Sequence, residues 1–298
     1  MSPVVVSACA KLNLGLEVLG RRSDGYHDIA TIFQEISWCD SLKVSRSPNW
    51  TFQCTNPTLA TPSNLAVTAA AKACDQLGVP QNFSVTLEKA IPEAAGLGGA
   101  SADAAAVLLG IERESGRVLP SQTAQKIATS LGSDVPFFLT GGTAFATGRG
   151  ELLDPLPSPD TRFVVIAPSI VLERKTQRLY ELLETRDWSD GATIRTQAER
   201  LRASLPLDPV LCVNAFSRAL ARLAPETIEF RDLARAAGAS NLSLSGAGPA
   251  HYVIEPDPDR AEAISQAFKA KLGSLAEVKV CTPVKRRQER DSPTVRCR

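Results

Sequence analysis

Residues 92–105, Pro-Glu-Ala-Ala-Gly-Leu-Gly-Gly-Ala-Ser-Ala-Asp-Ala-Ala, set a small-residue loop directly before an alanine-rich run. Few local structures accommodate both halves. Gly96, Gly98 and Gly99 let the backbone take positive φ and approach another group closely. A helix beginning near Ser101 would turn its unpaired N–H groups, and about half a positive charge, toward the loop. The stretch predicts a strand–loop–helix unit that holds an anion, with phosphate the expected guest. A tight structural connection would also use glycine, so the flanking sequence has to decide.

Two familiar phosphate loops are excluded. The chain contains no Gly-Lys dipeptide, which removes the P-loop and its phosphate-reaching lysine. Gly96-x-Gly98-x-x ends on Ser101, where a dinucleotide fingerprint requires a third glycine. Upstream, Phe83, Val85 and Leu87 alternate with Ser84, Thr86 and Glu88. That period suits a half-exposed strand of an antiparallel or mixed sheet, not a Rossmann strand buried on both faces.

The chain has 298 residues, 44% of them hydrophobic, enough for two ordinary domains. A formal charge of +1 gives no broad basic surface for nucleic acid. The one basic cluster, Lys285-Arg286-Arg287 with Arg290, Arg296 and Arg298, lies in a polar tail expected to be disordered. Seven cysteines without C-x-x-C spacing read as reduced, buried residues of a cytoplasmic protein, not as disulfides or a zinc site. No targeting segment and no membrane-crossing run is expected, and composition leaves the oligomeric state open. His27 and His251 are the only histidines, which excludes multi-histidine metal sites and, without a G-x-S-x-G elbow, argues against a serine–histidine relay.

Along the chain, Leu12, Leu14, Leu16 and Val18 alternate with Lys11, Asn13, Gly15 and Glu17. This predicts a strand with Lys11 and Asn13 together on its exposed face. The turn Arg21–Gly25 delivers Tyr26-His27 into a second extended region running to Trp38. Helices are expected from Asn64 to Leu77 with Ser63 as cap, from Ser101 to Glu114, and from a Ser121 cap to a left-handed Gly132. Gly141–Glu151 reads as turn, strand and turn. Pro155, Pro157 and Pro159 should break regular structure, which places domains at 1–157 and 158–284 and a basic tail at 285–298. In the second half, strands near 163–167, 251–255 and 277–281 and helices near 176–183, 213–223 and 260–272 form an α+β unit. It carries a second small-residue loop, Ser245–Ala250.

Lys11, the glycine loop and Asp134, followed by apolar Val135–Leu139, together suggest phosphoryl transfer. A lysine about 4 Å from a carboxylate favours the charged pair by roughly 4 kcal/mol at an effective dielectric near 20, before desolvation. Asp134 could then take the proton of an acceptor hydroxyl while Lys11 counters charge on the transferring group. Asp103 would repel phosphate unless Mg²⁺ or a basic group intervenes.

Three motifs carry a more specific resemblance: Ala10-Lys11-Leu12-Asn13-Leu14 with Asp24-Gly25-Tyr26-His27; Pro92–Ala105; and Gly132-Ser133-Asp134-Val135-Pro136-Phe137-Phe138. With Ser245–Pro249 they make the chain resemble the GHMP-type small-molecule kinases over nearly its whole length. Within these it is similar to the branch that phosphorylates the 2-hydroxyl of a cytidyl diphosphate sugar alcohol in non-mevalonate isoprenoid synthesis. The resemblance implies a domain like ribosomal protein S5 domain 2 followed by a ferredoxin-like α+β domain, with the site between them. It implies Lys11 and Asp134 as catalytic residues and ATP, accompanied by Mg²⁺, on Pro92, Glu93, Ala94, Ala95, Gly96, Leu97, Gly98, Gly99, Ala100, Ser101 and Ala102. Tyr26 would stack on the cytosine and His27 hydrogen-bond it, Tyr180 would give a second aromatic wall, and Asn13 would approach the sugar-alcohol hydroxyls. The family pattern has glycine at positions 94 and 100 and a hydroxyl residue at 102, so three alanines mark departures here, and Glu93 adds negative charge. A kinase for homoserine, mevalonate or a sugar, a dinucleotide oxidoreductase and a nucleotide-binding module without turnover are the alternatives.

Overall fold

A computed structural model of the chain describes residues 3–170 and 172–287. Its first sheet is six-stranded and mixed, built from β1 (Val4–Arg21), β2 (His27–Arg46), β3 (Thr51–Cys54), β4 (Phe83–Glu88), β5 (Thr143–Thr147) and β6 (Leu152–Leu156). β1 lies along one edge of the long β2, whose other edge is shared by β4 and β5. β3 joins β4 in parallel and β6 closes the opposite edge. Four helices accompany this sheet: α1 (Leu65–Leu77), α2 (Gly99–Ser115), α3 (Ser121–Leu131) and α4 (Val135–Thr140). The alternation of β4 appears as a strict buried and half-buried pattern. The small alanines of α2 let that helix press on the sheet and on α1.

The second sheet runs β10 (Ala276–Cys281), β7 (Arg162–Pro168), β9 (His251–Glu255) and β8 (Ser243–Leu244), all antiparallel. Around it lie α5 (Lys175–Glu181), α6 (Ala192–Arg202), α7 (Ser217–Leu223), α8 (Phe230–Ala236) and α9 (Pro258–Leu272). Asp257 caps α9 by accepting from the Arg260 amide at 2.9 Å, with Pro258 at the first helical position. No helix of the described residues is long and apolar enough to cross a membrane.

The two sheets share a core. Leu12 and Leu14 of β1 pack in one cluster with Phe163, Val165 and Tyr252 of the second sheet and with Ile194 of α6. Every residue of β1 from Ala8 to Val18 is therefore buried, and Lys11 and Asn13, expected on an exposed face, are only 4% and 1% exposed. Period-two alternation marks which side chains share a face, but not whether a second domain covers that face.

Other expectations are corrected locally. Asn64, not Ser63, caps α1, accepting from the Ala66 amide at 2.9 Å. Pro120 occupies the cap of α3, and Gly132 is extended (φ 166°) rather than left-handed. Residues 213–216 are not helical, because they run beside β1, with Leu16 N donating to the Val213 carbonyl and Ala215 N to the Leu16 carbonyl. Pro155 sits within β6, which tolerates it as an edge strand. Cys9 and Cys39, opposite each other in the β1/β2 register, form a disulfide, against the expectation of reduced thiols. Cys54, Cys74, Cys212 and Cys281 are free.

Residues 285–287 of the basic tail are also ordered against the first sheet. Val284 N donates to the Glu35 carbonyl, Arg287 N to the Thr140 carbonyl, and the Arg287 guanidinium meets the fully buried Glu35 carboxylate at 2.6 Å. Arg290, Arg296 and Arg298 lie outside the described residues.

Candidate active site

The glycine loop takes the strained conformations its sequence permits. Gly96 (φ 87°) and Gly98 (φ 74°) are both left-handed, and Gly98 begins α2 with no side-chain cap. A Cβ at Gly96 would come within 2.6 Å of the Ser245 carbonyl oxygen, and one at Gly98 within 2.9 Å of the Phe138 ring and 3.0 Å of Lys11 Cγ. Glycine is needed here for close approach as well as for φ.

Backbone bonds join three segments at this point. Lys11 N donates to the Leu97 carbonyl at 2.8 Å and Ala250 N to the Ala95 carbonyl at 2.9 Å. Ser245 Oγ donates to the Gly96 carbonyl at 3.2 Å. The loop at 92–98 is thereby clamped between β1 of the first sheet and the 245–250 turn of the second.

Within that clamp, Lys11 Nζ lies 3.5 Å from Asp134 Oδ2 and donates to Asn13 Oδ1 at 2.5 Å. Asn13 is fixed in turn, its amide donating to Thr31 Oγ1 at 2.8 Å while Thr31 donates to the Gly15 carbonyl at 2.6 Å. The Asp134 side chain, at the start of α4, is 33% exposed against 5% for that of Lys11. The carboxylate is open to an incoming group while the ammonium beneath it is held in place.

The remaining loop residues divide by direction. Glu93 is exposed and turned outward to Asn56 Nδ2, while Ala94 adopts a left-handed φ of 51°. Pro92 is half-buried, Ala95 and Leu97 are buried, Ala100 is exposed and Ser101 half-buried. Ala102 belongs to the core cluster beneath α2. Behind Gly99, Lys89 Nζ bridges Asp103 Oδ2 at 2.8 Å and Asp40 Oδ2 at 2.5 Å. A basic group thus stands against Asp103, one of the two conditions its position required. Burial, opposed by Lys89, pushes the Asp103 carboxyl up to about 7, and its Oδ1 has no hydrogen-bond partner.

Aromatic groups stand near Asp134, whose charge acts on Tyr180. His27 stacks on Tyr180 with ring centroids 4.5 Å apart and planes 14° from parallel. Tyr180 meets Phe216 edge-on at 4.9 Å. Burial, helped by the nearby Asp134 charge, raises the Tyr180 hydroxyl to about 12. Burial and then Arg21 lower the His27 pKa, which favours a neutral imidazole. Tyr26 is 54% exposed, with the Arg149 guanidinium 4.6 Å from its ring centroid. Arg149, Lys89, Thr31 and Lys175 were not singled out in the sequence, where each reads as an ordinary surface or strand residue.

Residues 64–142 match the GHMP kinases N terminal domain and residues 189–274 the GHMP kinases C terminal domain. A 4-diphosphocytidyl-2-C-methyl-D-erythritol kinase from Gloeobacter violaceus is 33% identical over 94% of this chain and 94% of its own. The chain belongs to the GHMP kinase family, in its 4-diphosphocytidyl-2-C-methyl-D-erythritol kinase branch. Another member of that branch, from Solibacter usitatus, is 40% identical over 84% of this chain and 80% of its own. A crystal structure of a 4-(cytidine 5'-diphospho)-2C-methyl-D-erythritol kinase superposes with a TM-score of 0.79 at 34% identity, covering 93% of this chain and 99% of that one. A homoserine kinase from Cytophaga hutchinsonii, at 18% identity and TM-score 0.75 over 95% of each chain, shares the fold. As a GHMP kinase the chain has the two-domain architecture, S5 domain 2-like then ferredoxin-like, and is an ATP-dependent small-molecule kinase. Family membership does not favour the dinucleotide oxidoreductase or the binding module without turnover.

Proposed function

We propose that the chain transfers the γ-phosphoryl group of ATP to the 2-hydroxyl of 4-diphosphocytidyl-2-C-methyl-D-erythritol, releasing ADP, as a cytoplasmic enzyme of non-mevalonate isoprenoid synthesis. The observation that carries this reading is the Lys11–Asp134 pair at 3.5 Å, set between the glycine loop and the His27–Tyr180 stack. In this assignment the unpaired N–H groups at the start of α2 receive the ATP phosphates. Asp134 accepts the proton of the 2-hydroxyl as its oxygen bonds to the γ-phosphorus and the β–γ bridging oxygen departs with ADP. Lys11, 3.5 Å from Asp134, balances charge on the transferring group. A loose transition state demands little basicity, so most of the rate comes from placement and fixed charge. Asn13, held by Thr31, is placed to meet acceptor hydroxyls.

The cytosine is assigned to the region of Tyr26, His27 and Tyr180. A neutral imidazole both donates and accepts, as pairing with a pyrimidine edge requires. Mg²⁺ fits as an ion carried by the nucleotide: the described residues hold no cluster of three acidic, histidine or cysteine ligands, and Mg²⁺ commonly binds through phosphates with one or two carboxylates. Ser101 at the start of α2 and Asp134 would hold it through oxygen, and its part would be to neutralise phosphate charge.

The test is ADP release with Mg·ATP and the cytidyl acceptor, beside homoserine, mevalonate and galactose. Turnover confined to the cytidyl acceptor is expected. Turnover with another alcohol in its place would overturn the acceptor assignment and leave the kinase.

A further inference from the structure

Lys175, the first residue of α5, is 8% exposed, yet no carboxylate pairs with it among the described residues. Its ammonium donates instead to two carbonyls, Ala94 in the glycine loop and Gly248 in the facing turn. Those two loops are the ones clamped around Gly96, where the Gly248 carbonyl would lie 2.9 Å from an added Cβ. An ammonium has three donors, and two are used. Among the described residues, the one charged neighbour acting on it is another cation, Lys11 on β1. Lys11 has Asp134 opposite it, at α4, whereas Lys175 has no anion; Tyr180, on the same helix, stays neutral with its hydroxyl near 12.

A buried cation without an anion is costly unless a ligand supplies the charge. We infer that Lys175 is a phosphate-binding residue of this kinase, its free N–H directed to a phosphate oxygen bound where the two glycine loops meet. The inference rests on the proposed reaction for the two anions it considers: the polyphosphate of ATP and the diphosphate of the cytidyl acceptor. The residue has a second consequence for the loop. Ala94 holds a left-handed φ of 51° that glycine would take without strain, and the Lys175 bond to its carbonyl fastens the loop in that shape.

Burial and Lys11 push the Lys175 pKa down to about 8, so its charge in the empty protein fades within an accessible range. A bound phosphate would restore the proton, whereas an arginine in its place would remain charged throughout.

The experiment measures equilibrium affinity of the full chain and of Lys175→Met and Lys175→Arg for Mg·ATP against adenosine, and for CDP against cytidine, at pH 7 and pH 9. The expected result is that Lys175→Met loses about tenfold to a hundredfold in affinity for one phosphorylated ligand with its nucleoside unchanged, and that Lys175→Arg retains most of it. Whichever pair responds identifies the source of the phosphate. The wild type should also lose phosphate preference between pH 7 and pH 9 while Lys175→Arg does not. Equal ATP/adenosine and CDP/cytidine ratios in wild type and Lys175→Met would overturn the inference and leave a strut between carbonyls. If Lys175→Met does not fold, the pH comparison of wild type with Lys175→Arg decides, and parallel curves overturn it. Turnover of the cytidyl acceptor by the wild type is measured alongside, so that a wrong acceptor is told apart from a wrong role for Lys175.

Discussion

The His27 imidazole lies flat against the Tyr180 ring, 4.5 Å between centroids and 14° from parallel, so a residue at the start of β2 is held by α5 of the second domain. Stacking of this kind positions a ring by dispersion over its whole face. Replacing Tyr180 by Leu should raise KM for the cytidyl acceptor roughly tenfold, an aromatic contact of ~1.4 kcal/mol, and leave KM for ATP unchanged. Because burial lowers the His27 pKa, the imidazole stays neutral above its ordinary value of about 6.5. Acceptor KM in Lys175→Arg, where titration of that lysine is removed, should be flat from pH 7 to 8.5. Steady-state kinetics with each substrate varied in turn checks both statements.

Asp134→Asn should lower kcat by about 10²- to 10⁴-fold, the usual worth of a positioned general base, with ATP affinity nearly intact. Lys11→Met should lower kcat by about 10²- to 10³-fold and also free Asn13, whose Oδ1 accepts from Lys11. Single-turnover rates and nucleotide titration separate the two effects. Near-normal turnover of Asp134→Asn would remove that residue from proton transfer.

Glu35 is completely buried and depends on Arg287 for its counter-charge. Burial raises its carboxyl and Arg287 opposes that shift. Arg287→Met should cost about 2–3 kcal/mol of stability at neutral pH, somewhat below a fully buried pair because the guanidinium is partly exposed. The loss should shrink as pH falls, because burial without Arg287 favours the protonated Glu35 carboxyl. The double variant with Glu35→Gln should recover much of it, as read by denaturant unfolding.

Asp103 gives the opposite pH signature. Its folded-state pKa of about 7 exceeds the unfolded value near 4, so the native state binds the extra proton and loses stability as pH rises from 4 to 7. Asp103→Asn removes that dependence. Its stability relative to wild type should therefore improve on going from pH 5 to pH 8, by on the order of 1 kcal/mol. Parallel unfolding curves at the two pH values would show that Lys89 keeps Asp103 ionised throughout.

Local chemistry made much of this architecture legible. Alternation across Phe83–Glu88 gave a half-buried strand because side-chain period is a property of the backbone. The glycines of 96–98 announced a close approach because only glycine tolerates it. Lys11 and Asn13 were placeable on one face by the same period. Their burial was not, since it comes from Tyr252, Ser245 and the second domain, far away in sequence. The Cys9–Cys39 pairing depends on strand register, which spacing alone does not set. Lys175 sits in Glu173-Arg174-Lys175, a charged run that reads as a solvated turn. Lys89, Asp40 and Asp103 likewise gave no joint signal, because nothing local brings them together.

The return of Arg287 to Glu35, 252 positions earlier, ties the first sheet to the order of synthesis. A ribosome adding about 5–20 residues per second would produce the arginine on the order of ten to fifty seconds after the glutamate. From the time residue 157 has been added until Arg287 emerges, the first domain has one buried carboxylate without its partner. Its final consolidation waits for Arg287.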